Sequence, residues 1–106
     1  MWKVEFVNGS AIAEIEALPR DLRAKLTRIV ELIGASGLPS LRPPDVKHLE
    51  GKLWEIRLKA NTGIARSIYV SASGERVVIL RTFVKKTQKT PRREIELARE
   101  RARTVR

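Results

Sequence analysis

No cysteine occurs among the 106 residues, so disulfides, thiolate-ligated metals and a cysteine nucleophile are excluded. His48 is the single histidine, which rules out an intrachain His–His acid/base pair. Aromatics make up 5% of the chain, and no apolar run approaches the roughly 18 residues that span a bilayer. The opening Met1-Trp2-Lys3-Val4-Glu5-Phe6 alternates instead of forming a signal-peptide core. Gly-rich phosphate loops, zinc-ligand spacings, a Ser/His/Asp arrangement and a two-carboxylate metal site are all missing, so neither metal nor cofactor is expected. Acidic residues are few as well: 12 Asp+Glu stand against 22 Lys+Arg, a formal net charge of +10. What remains is a small cytoplasmic domain, 1–106, too short for two cores and with positive charge to explain.

The excess is local. Residues 76–106 carry eleven Lys/Arg against three Asp/Glu, whereas the first 75 carry eleven against nine. Clustered cations gain at a phosphate backbone through counterion release, so the pattern points to a polyanion. A solvated basic helix, or one that binds an acidic protein, would give the same count.

Periodicity gives the order β-α-α-β-β-β-α. Trp2, Val4 and Phe6 alternate as a half-buried strand. Ser10 is the expected N-cap of a short helix through Ile12, Ile15 and Leu18, and Pro19 is expected in the first turn of a second. In that second helix Leu22, Leu26, Ile29, Val30 and Ile33 form an apolar stripe at helical period, so the pair reads as a helical hairpin. Residues 37–52 read as a connection rich in Pro and Gly, of a length that is often functional. Three strands follow, through Trp54–Leu58, Ile64–Ser71 and Arg76–Val84, with short turns that make them an antiparallel meander. Alternation along the last places Val77, Ile79, Arg81 and Phe83 on one face. Thr90-Pro91 reads as an N-cap and N1 proline before a helix with a thin stripe, Ile95, Ala98, Ala102 and Val105.

Two groups of residues can carry chemistry. The first is the loop between the last strand and last helix, where Lys85, Lys86, Gln88, Lys89, Arg92 and Arg93 follow Phe83 at a helix N-terminus that attracts anions. The second is Arg57, Arg66 and Arg81, one on each strand of the meander. A charge on an apolar strand face is costly unless paired or functional. Either Glu5, Glu50 or Glu55 neutralises these arginines, or they form a cationic surface for a phosphodiester. Lys47, His48 and Lys52 flank the start of the second strand, and His48 is the one imidazole available for proton transfer. Trp54 and Phe83 are either core residues or platforms for bases.

The stretch Lys47-His48-Leu49-Glu50-Gly51-Lys52-Leu53-Trp54-Glu55-Ile56-Arg57-Leu58 resembles the L-x-G-x-L-W-E-L-R signature of HigB-like, phage-derived toxins. These belong to the RelE/ParE superfamily of toxin–antitoxin modules. Arg66-Ser67-Ile68-Tyr69-Val70 resembles the family's R-x-x-Y segment, and Phe83 to Pro91 matches its F-x-K-K-T-x-K-T-P signature.

The resemblance implies an α+β, RelE-like fold: an antiparallel sheet with an N-terminal helical hairpin on one face and a C-terminal helix. It implies a toxin that inhibits translation as a ribosome-dependent, metal-independent endoribonuclease, an mRNA interferase in which the 2′-hydroxyl attacks the adjacent phosphate. Carried over residue by residue, it marks Arg66, Lys86, His48, Arg57 and Arg81 as catalytic. It assigns Lys47, Lys52, Phe83, Lys85, Gln88, Lys89, Arg92 and Arg93 to RNA binding. The partners implied are a cognate helix-turn-helix antitoxin, the ribosome and mRNA, with no membrane. Glu55 fits the HigB-like signature but stands where RelE itself has a lysine. Also implied, as alternatives, are a ParE-like gyrase inhibitor and a non-catalytic RNA- or ribosome-binding domain.

Overall fold

The structure, a computed structural model, describes residues 1–86 and 89–106. Its elements are β1 (Lys3–Phe6), α1 (Gly9–Glu16), α2 (Arg20–Ser36), β2 (Val46–Glu50), β3 (Leu53–Ala60), β4 (Gly63–Ala72), β5 (Arg76–Lys85) and α3 (Arg92–Ala102). The strands form one sheet in the order β1-β5-β4-β3-β2. β3, β4 and β5 are the expected antiparallel meander. Two features enlarge it. β1 pairs with β5 in parallel, so the sheet is mixed. Part of the connection at 37–52 is also a strand, β2, paired antiparallel with β3 through Lys47↔Glu55 and His48↔Trp54. An edge strand with one buried residue, Val46, carries too little apolar alternation to stand out in sequence.

The helix ends correct three expectations. Asn8, not Ser10, caps α1, its Oδ1 accepting the Ala11 N–H at 2.9 Å. Pro19 lies just before α2 rather than in its first turn, with an extended ψ of 147°. Thr90 does not cap α3; Pro91 takes that position, and the Thr90 hydroxyl is used elsewhere. Gly37 closes α2 with φ of 85°, and a Cβ there would stand 2.9 Å from the Trp2 ring. Only glycine meets both demands.

Cross-strand partners share a face of the sheet. On one face Ile56, Leu58, Ala65, Tyr69 and Val77 pack against Leu22, Leu26 and Ile33 of α2, the apolar stripe read from sequence. Each such fully buried Leu or Ile contributes about 1.5–3 kcal/mol. On the other face Leu53, Ile68, Val70, Val78 and Leu80 pack against Ile95 and Ala98 of α3. The parity expected along β5 fails at Leu80, where a bulge lets Ile68 pair with Arg81 and Tyr69 with Ile79. One extra residue flips everything after it. Arg81 and Phe83 therefore lie on the α3 face with Val78, while Val77 and Ile79 stay on the hairpin face. No described helix is long and apolar enough to cross a membrane.

Candidate active site

Chain parity and register bring the basic residues together at one end of the α3 face. On β3, Glu55 and Arg57 point the same way; opposite them stand Lys47 on β2 and Ile68 and Arg66 on β4. Arg66 in turn faces Phe83, and Lys85 faces Ile64. Ile95 and Ala98 cover the apolar end of this face, and Lys47, Arg57, Arg66 and Lys85 occupy the rest. A cavity of about 390 Å³ opens beside them, lined by Pro44, Asp45, Arg57, Lys59, Ile64 and Arg66.

Glu55 sits beneath these cations, 2% exposed. Its Oε2 lies 3.4 Å from Arg66 Nε and 3.8 Å from Arg57 Nε, and its Oε1 accepts the Thr90 hydroxyl at 2.5 Å. Arg66 is 3% exposed and its Nη1 donates to the Ala65 carbonyl. Its Nε is buried and makes no aligned hydrogen bond among the described residues. Glu55 is the buried carboxylate that Arg57 and Arg66 share, and Asp45 stands on the cavity wall. Burial pulls the Arg66 pKa down, Glu55 opposes this and the Arg57 charge adds to it. Lys85 is likewise lowered from 10.5, by burial first and then by the positive charges of Arg66, Arg57 and Lys47, with Glu55 opposing. A lysine poised this way gives up its proton more easily than one in water.

Other candidates from the sequence lie elsewhere. Arg81 is held between two carboxylates, 2.8 Å from Glu14 and 2.9 Å from Glu94, and these raise its pKa, the Glu94 hydrogen bond most. The partners considered from sequence, Glu5, Glu50 and Glu55, are not the ones it uses. Its guanidinium carbon stands 5.8 Å from the Phe83 ring centre, and Phe83 itself is core, 7% exposed. His48 faces the hairpin side, its ring centre 5.0 Å from that of half-exposed Trp54 and its Nε2 2.8 Å from the Gly51 carbonyl. The structure does not bring it to the cluster. Tyr69 of the R-x-x-Y segment, three residues from Arg66, also points to the hairpin face, where burial pushes its pKa up to about 12. Lys52, Lys86 and Lys89 are exposed. Arg92 forks onto Glu50 at 2.7 and 2.8 Å, and Arg93 is exposed beside it on α3. Gln88 lies outside the described residues. Asp45, which lines the cavity, carries no sequence signal of its own; Thr90 is a position of the F-x-K-K-T-x-K-T-P signature, though its hydroxyl serves Glu55 and not the helix cap. Glu55 does: it shares the parity of Arg57.

Residues 13–103 match the family described as phage-derived protein Gp49-like. The chain belongs to that family. No curated protein matches the Gp49-like chain. Among solved structures, it is similar to E. coli toxin RelE in the free state, in a mutant with two arginines replaced by alanine. There the TM-score is 0.63 at 16% identity, over 99% of this chain and 98% of that one. It is also similar to a chain of the archaeal RelE–RelB complex from Pyrococcus horikoshii OT3, with a TM-score of 0.58 at 21% identity, over 78% and 93% of the two chains. At these identities the likeness is one of fold, and it matches the RelE-like arrangement expected from the Gp49-like sequence.

Proposed function

We propose that this Gp49-like chain is the HigB-like toxin of a type II toxin–antitoxin system, an mRNA interferase that cuts mRNA in the ribosomal A site without a metal ion. The observation that carries the reading is the cationic end of the sheet: Lys47, Arg57, Arg66 and Lys85 around the buried Glu55 carboxylate, beside a cavity of about 390 Å³. Membership of a phage-derived family and a RelE-like fold support it.

In this reading the 2′-hydroxyl oxygen attacks the adjacent phosphorus and the bond to the 5′-oxygen breaks. The products are a 2′,3′-cyclic phosphate and a 5′-hydroxyl. A base takes the 2′ proton, an acid returns one to the 5′-oxygen, and cations hold the two charges of the phosphorane. Arg57 and Arg66, which line the cavity, take the charge. With His48 on the other face, proton transfer falls to lysine, and Lys85 and Lys86 are the candidates. Exposed Lys89, Arg92 and Arg93, between β5 and the first turn of α3, extend the RNA-binding assignment, Phe83 and Arg81 support it from within the fold, and Lys52 and Gln88 belong to it through the sequence resemblance alone. The ribosome orients the codon and supplies proximity. The cytoplasm is the compartment this requires. RelE in the archaeal complex is bound to RelB; by analogy a small helix-turn-helix antitoxin neutralises this chain.

The test is expression of the wild type and of Arg66→Ala, with mRNA 5′-ends mapped and gyrase supercoiling assayed in parallel. Codon-phased cleavage is expected, falling roughly 10²–10³-fold in the variant, the usual cost of one transition-state charge contact. Supercoiling inhibition with intact mRNA contradicts the reading and favours a ParE-like activity. Ribosome binding without cleavage favours a non-catalytic domain.

A further inference from the structure

We propose that Glu55 is a positioning residue of this site: it fixes the guanidinium groups of Arg57 and Arg66 beside the cavity and is itself fixed by Thr90, at the foot of α3. The inference rests on the ribonuclease reading, because its readout is cleavage. Three observations carry it. Glu55 is almost fully buried, so its carboxylate meets protein groups and not solvent. Its oxygens divide their work: Oε2 approaches the Nε side of both arginines, and Oε1 accepts the Thr90 hydroxyl. Arg57 and Arg66 are Cα partners on adjacent strands, so one carboxylate between them sets their orientation relative to each other.

The geometry explains why a carboxylate belongs in a site built for an anion. Two long cationic side chains side by side repel and would splay apart. A buried anion within ion-pair reach of both keeps them beside the cavity: Arg57, half-buried on its wall, is placed to meet a phosphate, and Arg66, whose Nη1 donates to the Ala65 carbonyl, adds its charge from the buried side. Orientation of this kind is worth much in rate, since a misplacement of about 1 Å can cost roughly 10²-fold. Thr90 completes the device by tying the carboxylate to the chain segment that leads into α3. If Glu55 merely neutralised charge, its reach would not matter. If it positions, reach matters as much as charge.

Glu55→Asp separates the two, because it keeps the charge and withdraws the carboxylate by one methylene. With wild type, E55D and E55Q, single-turnover cleavage is measured on mRNA in purified ribosome complexes, together with thermal unfolding. The expected result is a kcat lower by roughly 10–100-fold in both variants, with KM within about threefold of wild type. Wild-type kcat in E55D overturns the inference and leaves the ribonuclease reading standing. No cleavage by the wild type overturns that reading and this inference with it. Should neither Glu55 variant fold, Thr90→Val removes the hydroxyl at constant shape. A fall in its kcat supports the inference, and an unchanged kcat overturns it.

Discussion

Arg66 and Arg81 lie on neighbouring strands of the same sheet face, and their surroundings are opposite. Arg81 lies between two carboxylates, Glu94 and the Glu14 that it shares with Arg101. Arg66 shares one carboxylate, Glu55, with Arg57. The first arrangement is a structural ion pair; the second leaves positive charge to be met by something else. Glu14 gives the structural side a pH signature. Burial raises its pKa, but the Arg101 hydrogen bond, the Thr82 N–H and the charges of Arg81 and Arg101 outweigh that and leave it below 4.5. A lowered carboxylate contributes stability that is present above its unfolded value and is lost as pH falls through the folded one. Glu14→Gln is therefore expected to cost about 1–3 kcal/mol at neutral pH, with the difference from wild type shrinking as pH falls below 4.5. Urea unfolding across that range measures it; an equal deficit at both ends contradicts the assignment. That the strand arginines meet a charged partner was legible in sequence as a requirement. Which partner was not, because Glu14 lies 67 positions from Arg81 and only the packing of α1 on β5 brings them together.

At the scale of elements, α3 is the informative one. Its apolar stripe is thin, and its attachment is partly ionic. Arg101 donates to the Leu80 carbonyl at 2.9 Å and to Glu14 at 2.9 Å, so it covers the part of the β5 edge that β1 does not reach. Arg92 and Arg99 both reach Glu50 at the end of β2. Beneath them Ala98 is fully buried among Leu53, Val70 and Leu80. Ala98→Leu is expected to lift α3 from the sheet at a cost of about 1–3 kcal/mol, read as a lower denaturation midpoint. An unchanged midpoint would mean that α3 packs too loosely to feel three carbons. The hairpin, the meander and α3 were legible because each carries its own period. β2 and the Leu80 bulge were not. β2 is an edge with one buried residue, and a bulge is a property of pairing, invisible in either strand alone. The bulge matters most for the site, since it turns Arg81 and Phe83 onto the α3 face.

For the whole molecule, charge and fold give one picture. The net +10 is concentrated in the last third of the sequence, yet the cavity is built mainly from β3 and β4, where Arg57 and Arg66 stand over Glu55. The C-terminal cations mostly hold α3 in place or lie on the surface around the cavity. The basic loop and the strand arginines were legible in the sequence, and the fold sorts the arginines into Arg81, paired with Glu14 and Glu94, and a cluster at Glu55 beside the cavity. In the proposed reaction this cluster cuts ribosome-held mRNA by 2′-hydroxyl attack. The most direct test is single-turnover cleavage of an mRNA in a purified ribosome complex, with the scissile nucleotide either natural or 2′-deoxy. The expected result is cleavage of the natural strand to a 2′,3′-cyclic phosphate, only with the ribosome present, and none at the 2′-deoxy position. Cleavage at the 2′-deoxy position, or equal cleavage of free mRNA, would contradict the account.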